Sequence, residues 1–236
     1  RELLAKGYRF FSEGDTEVIL KAYAEWGERC VERLIGMFAF ALWNLRERGL
    51  FLARDRLGIK PLYYSQTPGV FRFASNSQAL LAAPDVNTAL DSVALHHQLT
   101  LHGVIPAPRT ILRDIRKLAP ATTLTIDAHG NARSRVYWTV RALRPATPRD
   151  EMEWLEAVHA ALRLAVRRRL DVADVPVGVL LSGGLDSSLL VALLAESGVR
   201  DLRTFSVGFE DQPEEKGSEF EYSDPVAARY QTRHQK

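Results

Sequence analysis

The sequence contains little cysteine, little net charge and no long apolar run. Among its 236 residues there is one cysteine, Cys30, and 31 basic side chains nearly balance 29 acidic ones. A lone cysteine excludes an internal disulfide framework and zinc sites built on cysteine pairs, and it favours a reducing, cytoplasmic setting. The small net charge of +2 gives no case for a nucleic-acid or membrane-surface partner. No apolar stretch approaches the roughly 20 residues that cross a bilayer, so we expect no membrane partner either.

The composition is that of a globular protein with one large or two modest domains, at 46% hydrophobic and 25% charged residues. Residues 143–150 are polar and contain two prolines, which is typical of a linker. We therefore expect one domain over residues 1–142, a linker at 143–150 and a second domain over 151–236.

The strongest local signal lies at residues 177–188, which read VGVLLSGGLDSS. A short apolar run, a Ser-Gly-Gly turn and a second apolar run with helical spacing predict a buried strand that leads through a tight loop into a helix. Such a loop suits a phosphate, because Gly183 and Gly184 allow close approach of the backbone and the helix start presents free N–H groups. An ordinary strand-to-helix turn made of small residues is the alternative.

Side chains in this loop add to the phosphate hypothesis. The hydroxyls of Ser182, Ser187 and Ser188 are further hydrogen-bond donors. Asp186 is different, because a carboxylate repels a phosphate unless a cation lies between them. Its presence predicts a Mg²⁺ ligand.

Three other motifs do not fit the loop. A Walker A sequence needs a lysine after its last glycine, and the dinucleotide fingerprint needs a G-x-G-x-x-G spacing; neither is present. The nucleophile elbow G-x-S-x-G fails because Leu180 and Leu181 precede Ser182. The letters SGGLDS at residues 182–187 instead resemble the SGGxDS pyrophosphate loop of the ATP pyrophosphatases, which split ATP between its α and β phosphates.

The first part of the chain predicts a layered α+β domain. Asp15 and Thr16 supply an N-cap for a helix over residues 16–34, and Cys30 lies on its apolar stripe as a small core residue. The other predicted elements are strands at 37–43, 50–55, 62–64 and 70–74, helices at 77–81 and 92–102, and a hairpin with strands at 122–126 and 133–138.

The second part predicts a βαβ unit with a parallel sheet. A long helix from Glu151 has one apolar side, made by Met152, Leu155, Val158, Leu162, Val166 and Leu170. A second buried strand is expected at residues 203–209, with an acidic loop at 210–221 and a last helix at 224–231. Ligands of open α/β sheets bind at the carboxyl ends of the strands, so the region of Val207 and Gly208 is the expected place for an adenine.

Three separated segments together resemble the glutamine-hydrolysing asparagine synthetases. They are GMFAFA at 36–41, ARDRLGIKPLYY at 53–64 and VLLSGGLDSS at 179–188, in the order found in that family. Smaller segments at 10–17, 96–97, 104–112 and 219–224 further resemble N-acetylglutaminylglutamine amide synthases within the superfamily. The resemblance covers nearly the whole chain.

This resemblance implies a fold and a two-step reaction. Residues 1–142 would be the C-terminal part of an Ntn-hydrolase-type glutaminase, an αββα sandwich, and 151–236 the first part of a parallel-sheet α/β ATP-pyrophosphatase domain of the HUP-like type. The glutaminase would release ammonia from glutamine. The synthetase would join a substrate carboxylate to AMP, releasing pyrophosphate, and ammonia would then displace AMP to form an amide. The implied ligands are glutamine, ATP, Mg²⁺ and an acid; a homodimer is left open.

The resemblance also implies roles for residues that match the family's motifs. Asp15 would hold the α-amino group of glutamine. A plain role as a helix N-cap explains this residue equally well. Arg54 and Lys60 receive no chemical role, because a packed position is an equal explanation. The positions implied to contact ATP or its pyrophosphate are Leu181, Ser182, Gly183, Gly184, Asp186, Ser187 and Val207, with Asp186 also the metal ligand.

Parts of the family pattern are absent from these residues. The family nucleophile is an N-terminal cysteine, and the second metal-binding loop of the synthetase would lie beyond Lys236. We therefore expect an interior piece of a longer protein, with no catalytic residue of its own and little or no activity alone. The competing hypothesis is a non-catalytic nucleotide-binding module of a degenerate family member; enzymes that thiolate or amidate nucleotides with a similar loop are a third.

Overall fold

The computed structural model describes residues 2–144, 146–210 and 217–236. The chain divides into two compact units, Arg1–Ala142 and Leu143–Lys236. None of the helices in the described ranges has the length and apolar character needed to cross a membrane. Of the acidic loop expected at residues 210–221, residues 211–216 lie outside the described residues, and Phe220 and Glu221 belong to a helix instead.

The first unit mixes helices with antiparallel strands, as an α+β domain requires. One sheet has the strand order β1-β2-β6-β7 and another the order β4-β3-β5. The elements are α1 (Glu2–Ala5), α2 (Asp15–Trp26), a 3₁₀ helix (Gly27–Glu32), β1 (Ala39–Asn44), β2 (Gly49–Arg54), β3 (Tyr63–Thr67), β4 (Val70–Ala74), α3 (Ser77–Leu81), α4 (Ser92–Thr100), β5 (Arg116–Lys117), β6 (Thr122–Ile126) and β7 (Ala132–Val136).

Strand β2 is the centre of this unit because both of its faces are buried. Phe51 and Ala53 point to a core that contains Cys30 and Val31, supplied by the helices. Leu52, between them, faces a second core that joins the two sheets through residues such as Leu62 and Leu118. Alternation along the strand therefore places a helical layer on one face and the second sheet on the other.

The helix predicted over residues 16–34 is shorter than expected. It ends at Trp26, where Gly27 takes a positive φ of 57°, and the chain continues as the 3₁₀ helix. The predicted N-cap is wrong, because Gly14 occupies that position and Asp15 is the first helical residue. Cys30 is fully buried, as predicted, and burial raises the pKa of its thiol to about 11.

A buried carboxylate organises the loop after β2. Asp55 is 1% exposed, and its oxygens accept hydrogen bonds from the backbone N–H groups of Phe38 at 3.2 Å, Leu57 at 3.1 Å, and Ile59 and Lys60 at 3.0 Å each. Burial opposes ionisation, but these N–H groups outweigh it and lower the pKa of Asp55. The ARDRLGIK segment is thus held by a charge inside the unit.

Replacing Asp55 by asparagine should lower the free energy of unfolding by about 1.5–3 kcal/mol, because the amide nitrogen would face backbone donors. Urea unfolding at pH 7 measures this, with Glu13→Gln as the exposed control. Since the folded pKa is depressed, the stabilisation is present above the unfolded pKa near 4 and is lost as the pH falls through the folded pKa. The difference in the free energy of unfolding between the wild type and Asp55→Asn should therefore shrink below about pH 4. A variant as stable as the wild type at pH 7 would contradict the stabilising role of Asp55.

The second unit contains a parallel sheet with the strand order β10-β9-β8. Its elements are α5 (Glu151–Leu170), β8 (Gly178–Leu180), α6 (Leu185–Glu196), β9 (Arg203–Phe205), α7 (Phe220–Arg229) and β10 (Arg233–Gln235). Helix α5 begins with a capping box, in which Asp150 and Glu153 each accept a backbone N–H of the other. The core is formed by Val166 of α5, the strands, α6 and α7.

Three expectations for this unit need correction. The strand predicted at residues 203–209 ends at Phe205, and Val207 and Phe209 are 70% and 77% exposed. The last helix begins at Phe220 and not at residue 224, with Pro225 inside it. The apolar side of α5 is buried only toward its C-terminal end; Met152, Leu155 and Val158 are each more than half exposed.

Candidate functional site

The two parallel strands β8 and β9 are joined at their carboxyl ends by Leu181. This residue is 1% exposed, and its N–H donates to the carbonyl of Phe205 at 2.7 Å. Its own carbonyl accepts the hydroxyl of Ser206. Both backbone polar groups of Leu181 are thus hydrogen-bonded, one to β9 and one to the residue that follows β9. The loop begins at the next residue, Ser182, so its first residue is held in place.

Gly183 cannot be replaced by another residue without a clash. Its φ is +89°, and a Cβ there would lie 2.4 Å from the Cβ of Tyr222 and 2.6 Å from the N of Ser223. Helix α7 therefore packs directly on the loop backbone. Gly184 follows in an extended conformation as the N-cap of α6.

The hydroxyls of Ser182 and Ser187 meet across the loop, with their oxygens 3.1 Å apart. Ser187 also donates to the carbonyl of Gly184 at 3.2 Å, and the N–H of Gly184 donates to Ser182 at 3.3 Å. The hydroxyl of Ser188 is instead buried, without a partner among the described residues. The first-turn N–H groups of α6 have no helical acceptor, so the loop and helix start together present several donors to an anion.

Asp186 lies in the first turn of α6, exposed to solvent. Its carboxylate makes no hydrogen bond or ion pair with a described residue. Within residues 2–144, 146–210 and 217–236 there is no cluster of three or more His, Cys, Asp or Glu side chains that could hold a metal. Mg²⁺ is commonly held by one or two carboxylates, phosphate oxygens and water, and Asp186 fits such a shared site but not a metal site made of protein alone.

A cleft of about 340 Å³ opens beside the loop, at the carboxyl ends of β8 and β9. This volume lies within the usual range for small-molecule sites. Its walls are mostly apolar and include Val207, the predicted neighbour of an adenine. The lining residues are Leu180, Leu181, Ser182, Phe205, Ser206, Val207, Glu219, Phe220 and Ser223.

Sequence reasoning missed the wall supplied by α7 and its N-cap residue, namely Glu219, Phe220 and Ser223. The predicted last helix begins at residue 224, after all three residues, whereas α7 begins at Phe220. The signal that could have found them is the pair of aromatic residues Phe220 and Tyr222, just before Pro225 and the two alanines of the helix.

Helix α7 is tied to the sheet by a polar cluster. Thr204 is fully buried in β9, and its hydroxyl lies 2.7 Å from that of Thr232 and 2.9 Å from Nδ1 of His234 in β10. Asp224 on α7 accepts from Lys236 at 2.7 Å and lies 3.6 Å from Nε2 of His234. These contacts hold the helix that forms one wall of the cleft.

The residue matched to glutamine binding lies in the first unit. Asp15 is exposed at the start of α2, and among the described residues its carboxylate has no hydrogen-bond or ion-pair partner. A free carboxylate can accept an ammonium group. Asp15 belongs to the first unit and the SGGLDS loop to the second.

Arg54 has a packed role in the same unit. Its guanidinium donates to three carbonyl oxygens, those of Lys60 at 2.8 Å, Gly58 at 2.7 Å and Leu118 at 2.5 Å. Lys60 itself is exposed. Arg54 and Asp55 thus fix the ARDRLGIK loop from its two sides, and all polar atoms of the Arg54 side chain are engaged in that task.

Comparison with protein families identifies both units. Residues 1–138 match the model of the glutamine amidotransferase domain, and residues 157–236 match that of asparagine synthase.

Curated relatives agree with these matches. Asparagine synthetase [glutamine-hydrolyzing] 3 of Bacillus subtilis is 39% identical over 216 residues, covering 89% of this chain and 34% of the relative. Putative asparagine synthetase [glutamine-hydrolyzing] 2 of Methanocaldococcus jannaschii is 37% identical over 207 residues, covering 85% of this chain and 39% of the relative. The chain thus spans about a third of the length of these relatives.

Among solved structures, the glutamine phosphoribosylpyrophosphate amidotransferase of B. subtilis matches with a TM-score of 0.39 and 17% identity, over 59% of this chain and 26% of that one. That likeness is too small to carry an argument. The family matches confirm the resemblance drawn from the three sequence segments. The chain therefore belongs to the family of glutamine-hydrolysing asparagine synthetases, with a glutamine amidotransferase domain followed by asparagine synthase sequence.

Proposed function

We propose that the protein carrying this chain is an ATP-dependent amide synthetase that takes its ammonia from glutamine. The observation that carries the proposal is the SGGLDS loop, where a helix N-terminus and two facing hydroxyls adjoin an apolar cleft at the ends of two parallel strands. Anion donors beside an apolar cleft fit a nucleotide, whose phosphates and base need these two environments.

The domain assignment follows the same proposal. Residues 1–142 form the glutaminase part, 143–150 the linker and 151–236 the first part of the synthetase. The αββα assignment is supported by three cores in the first unit: one between the helices and the first sheet, one between the two sheets, and one in which Leu80 of α3 packs with Tyr63 of β3. The parallel order β10-β9-β8 supports an ATP-pyrophosphatase type of sheet.

In the synthetase half, the cleft would receive the adenine beside Leu181 and Val207. Ser182, Ser187, the glycine backbone and the first-turn N–H groups would hold the β and γ phosphates. An oxygen of the substrate carboxylate then attacks the α-phosphorus, the bond to the bridging oxygen breaks, and pyrophosphate departs. Donors placed around the departing group stabilise its growing negative charge.

Mg²⁺ would be held by Asp186 together with phosphate oxygens, and it would offset the charge on the pyrophosphate. In the second step ammonia adds to the acyl carbon and its nitrogen gives up one proton to solvent, while the bond from that carbon to the AMP oxygen breaks and AMP leaves with both electrons. The products are an amide, AMP and pyrophosphate.

In the glutaminase half, Asp15 would bind the α-ammonium group of glutamine. Its carboxylate is exposed and unengaged by described residues, as an ion-pairing partner for a small ligand must be. The buried Cys30, with its raised pKa, is unsuited to act as the nucleophile.

The gene product that carries these residues should form one AMP and one pyrophosphate for each amide, from ATP, glutamine and an acid. L-Aspartate is the first acid to try, since the relatives are named as asparagine synthetases; acetylated dipeptides come next. Anion-exchange chromatography of the nucleotides measures the outcome. Formation of ADP and phosphate would contradict the proposal, and ATP binding with no turnover of any acid would favour a nucleotide-binding module.

A further inference from the structure

The carboxylate of Glu17 is fully engaged with the loop that precedes its own helix. Oε1 accepts the N–H of Phe11 at 3.0 Å, and Oε2 accepts the N–H of Ser12 at 2.8 Å and its hydroxyl at 2.7 Å. Glu17 also pairs with Lys21 one turn further along α2. Lys21 first, and then Ser12 and the loop N–H groups, outweigh burial and lower the pKa of Glu17 to about 2.

Lys21 holds the same loop from a second direction. Its ammonium group donates to the carbonyl of Arg9 and lies 4.4 Å from the ring centroids of both Phe10 and Phe11. The side chains of Glu17 and Lys21 are only 13% and 16% exposed. An ion pair in α2 therefore fixes the four residues 9–12 through backbone hydrogen bonds and ring contacts.

The fixed loop leads directly to Asp15. Only Glu13 and Gly14 separate Ser12 from Asp15, and the N–H of Gly14 lies 3.4 Å from the Ser12 hydroxyl that Glu17 binds. Of the acids at 13, 15 and 17, Glu17 is committed to the loop. Asp15, two residues nearer to the loop in sequence, keeps its carboxylate free of the described residues.

We infer that Glu17 is a positioning residue for glutamine: its bonds to residues 11 and 12 hold the loop and the start of α2 so that Asp15 faces the α-ammonium group. The inference rests on the proposed function of Asp15. Without these bonds the loop samples other conformations, and the apparent affinity for glutamine falls in proportion to the fraction that remains competent.

The test compares two nitrogen sources in the gene product that carries this chain. With Glu17→Gln, which keeps one acceptor oxygen but loses the ion pair, the KM for glutamine should rise about 10-fold with a smaller change in kcat. Glu17→Ala should raise it further. Amide synthesis from ammonium chloride bypasses the glutamine site, so its rate should stay within about twofold of the wild type in both variants. Glu13→Gln is the matched control and should change neither reaction.

The outcomes separate the inference from the proposed function. An unchanged KM for glutamine in Glu17→Gln, or an equal loss of the glutamine and ammonia reactions, would overturn the positioning role. A wild-type protein that uses ammonia but not glutamine would overturn the glutaminase proposal instead. If Glu17→Ala does not fold, as judged by thermal unfolding, the comparison of Glu17→Gln with Glu13→Gln decides.

Discussion

Gly183→Ala should abolish ATP binding and lower the free energy of unfolding of the second unit by about 2–5 kcal/mol. Two costs add up. A residue with a side chain pays about 1–2 kcal/mol at a positive φ, and here φ is +89°. The new Cβ would also meet backbone and side-chain atoms of Tyr222 and Ser223 at 2.4–2.6 Å, so α7 must move away from the loop.

Gly198→Ala provides the matched control. Gly198 lies in the same unit with a φ of +78°, but a Cβ there has no atom within 4 Å. The variant therefore has the unfavourable backbone conformation without the clash. Its free energy of unfolding should fall by about 1–2 kcal/mol, and it should still bind ATP. Urea unfolding and titration calorimetry with ATP measure the pair. Equal losses in the two variants would mean that the contact between α7 and the loop contributes nothing.

Asp186→Asn should reduce the rate of ATP–pyrophosphate exchange by about 100-fold or more, because a charge that offsets the departing pyrophosphate is lost. The melting temperature should stay unchanged, since the Asp186 side chain is exposed and bonded to no described residue. The exchange assay uses the gene product with its acid, at saturating Mg²⁺ so that a change in metal affinity alone is overcome.

Asp174→Asn is the control for this variant, as Asp174 is an exposed aspartate of the same unit, outside the loop. It should retain full exchange. ATP–pyrophosphate exchange at the wild-type rate in Asp186→Asn would show that Asp186 takes no part in the reaction. A large fall in its melting temperature would instead assign Asp186 a structural role.

The parts of the fold that sequence predicts well are those with short-range signals. The hairpin of β1 and β2 follows from two apolar runs around a polar turn. The helix Ser77–Leu81 is preceded by its N-cap Asn76, whose side chain accepts the N–H of Ala79. The order of strand, loop and helix around Ser182 was likewise readable from glycines and apolar periodicity, although only Val179 of the strand is buried, as predicted for the whole strand. In each case the physical cause lies within a few residues.

The parts that sequence misses depend on distant partners. The contact of Gly183 with Tyr222 joins residues about forty positions apart, and no local sequence pattern predicts such a contact. Strands β5 and β10 have two and three residues and exist only because β3 and β9 offer free edges. The contacts of Glu17 could not be predicted either. The segment GDTEV shows an acidic residue in the first turn of a helix, but it does not show which loop that residue binds.

The central claim is that the acid is activated as an acyl-adenylate, and oxygen-18 tests it most directly. The acid, labelled in both carboxylate oxygens, is converted to amide by the gene product with ATP and glutamine. Phosphorus NMR then locates the label. We expect one oxygen-18 in the AMP for each amide formed and none in the pyrophosphate. Unlabelled AMP, or label in orthophosphate released together with ADP, would contradict the proposed reaction.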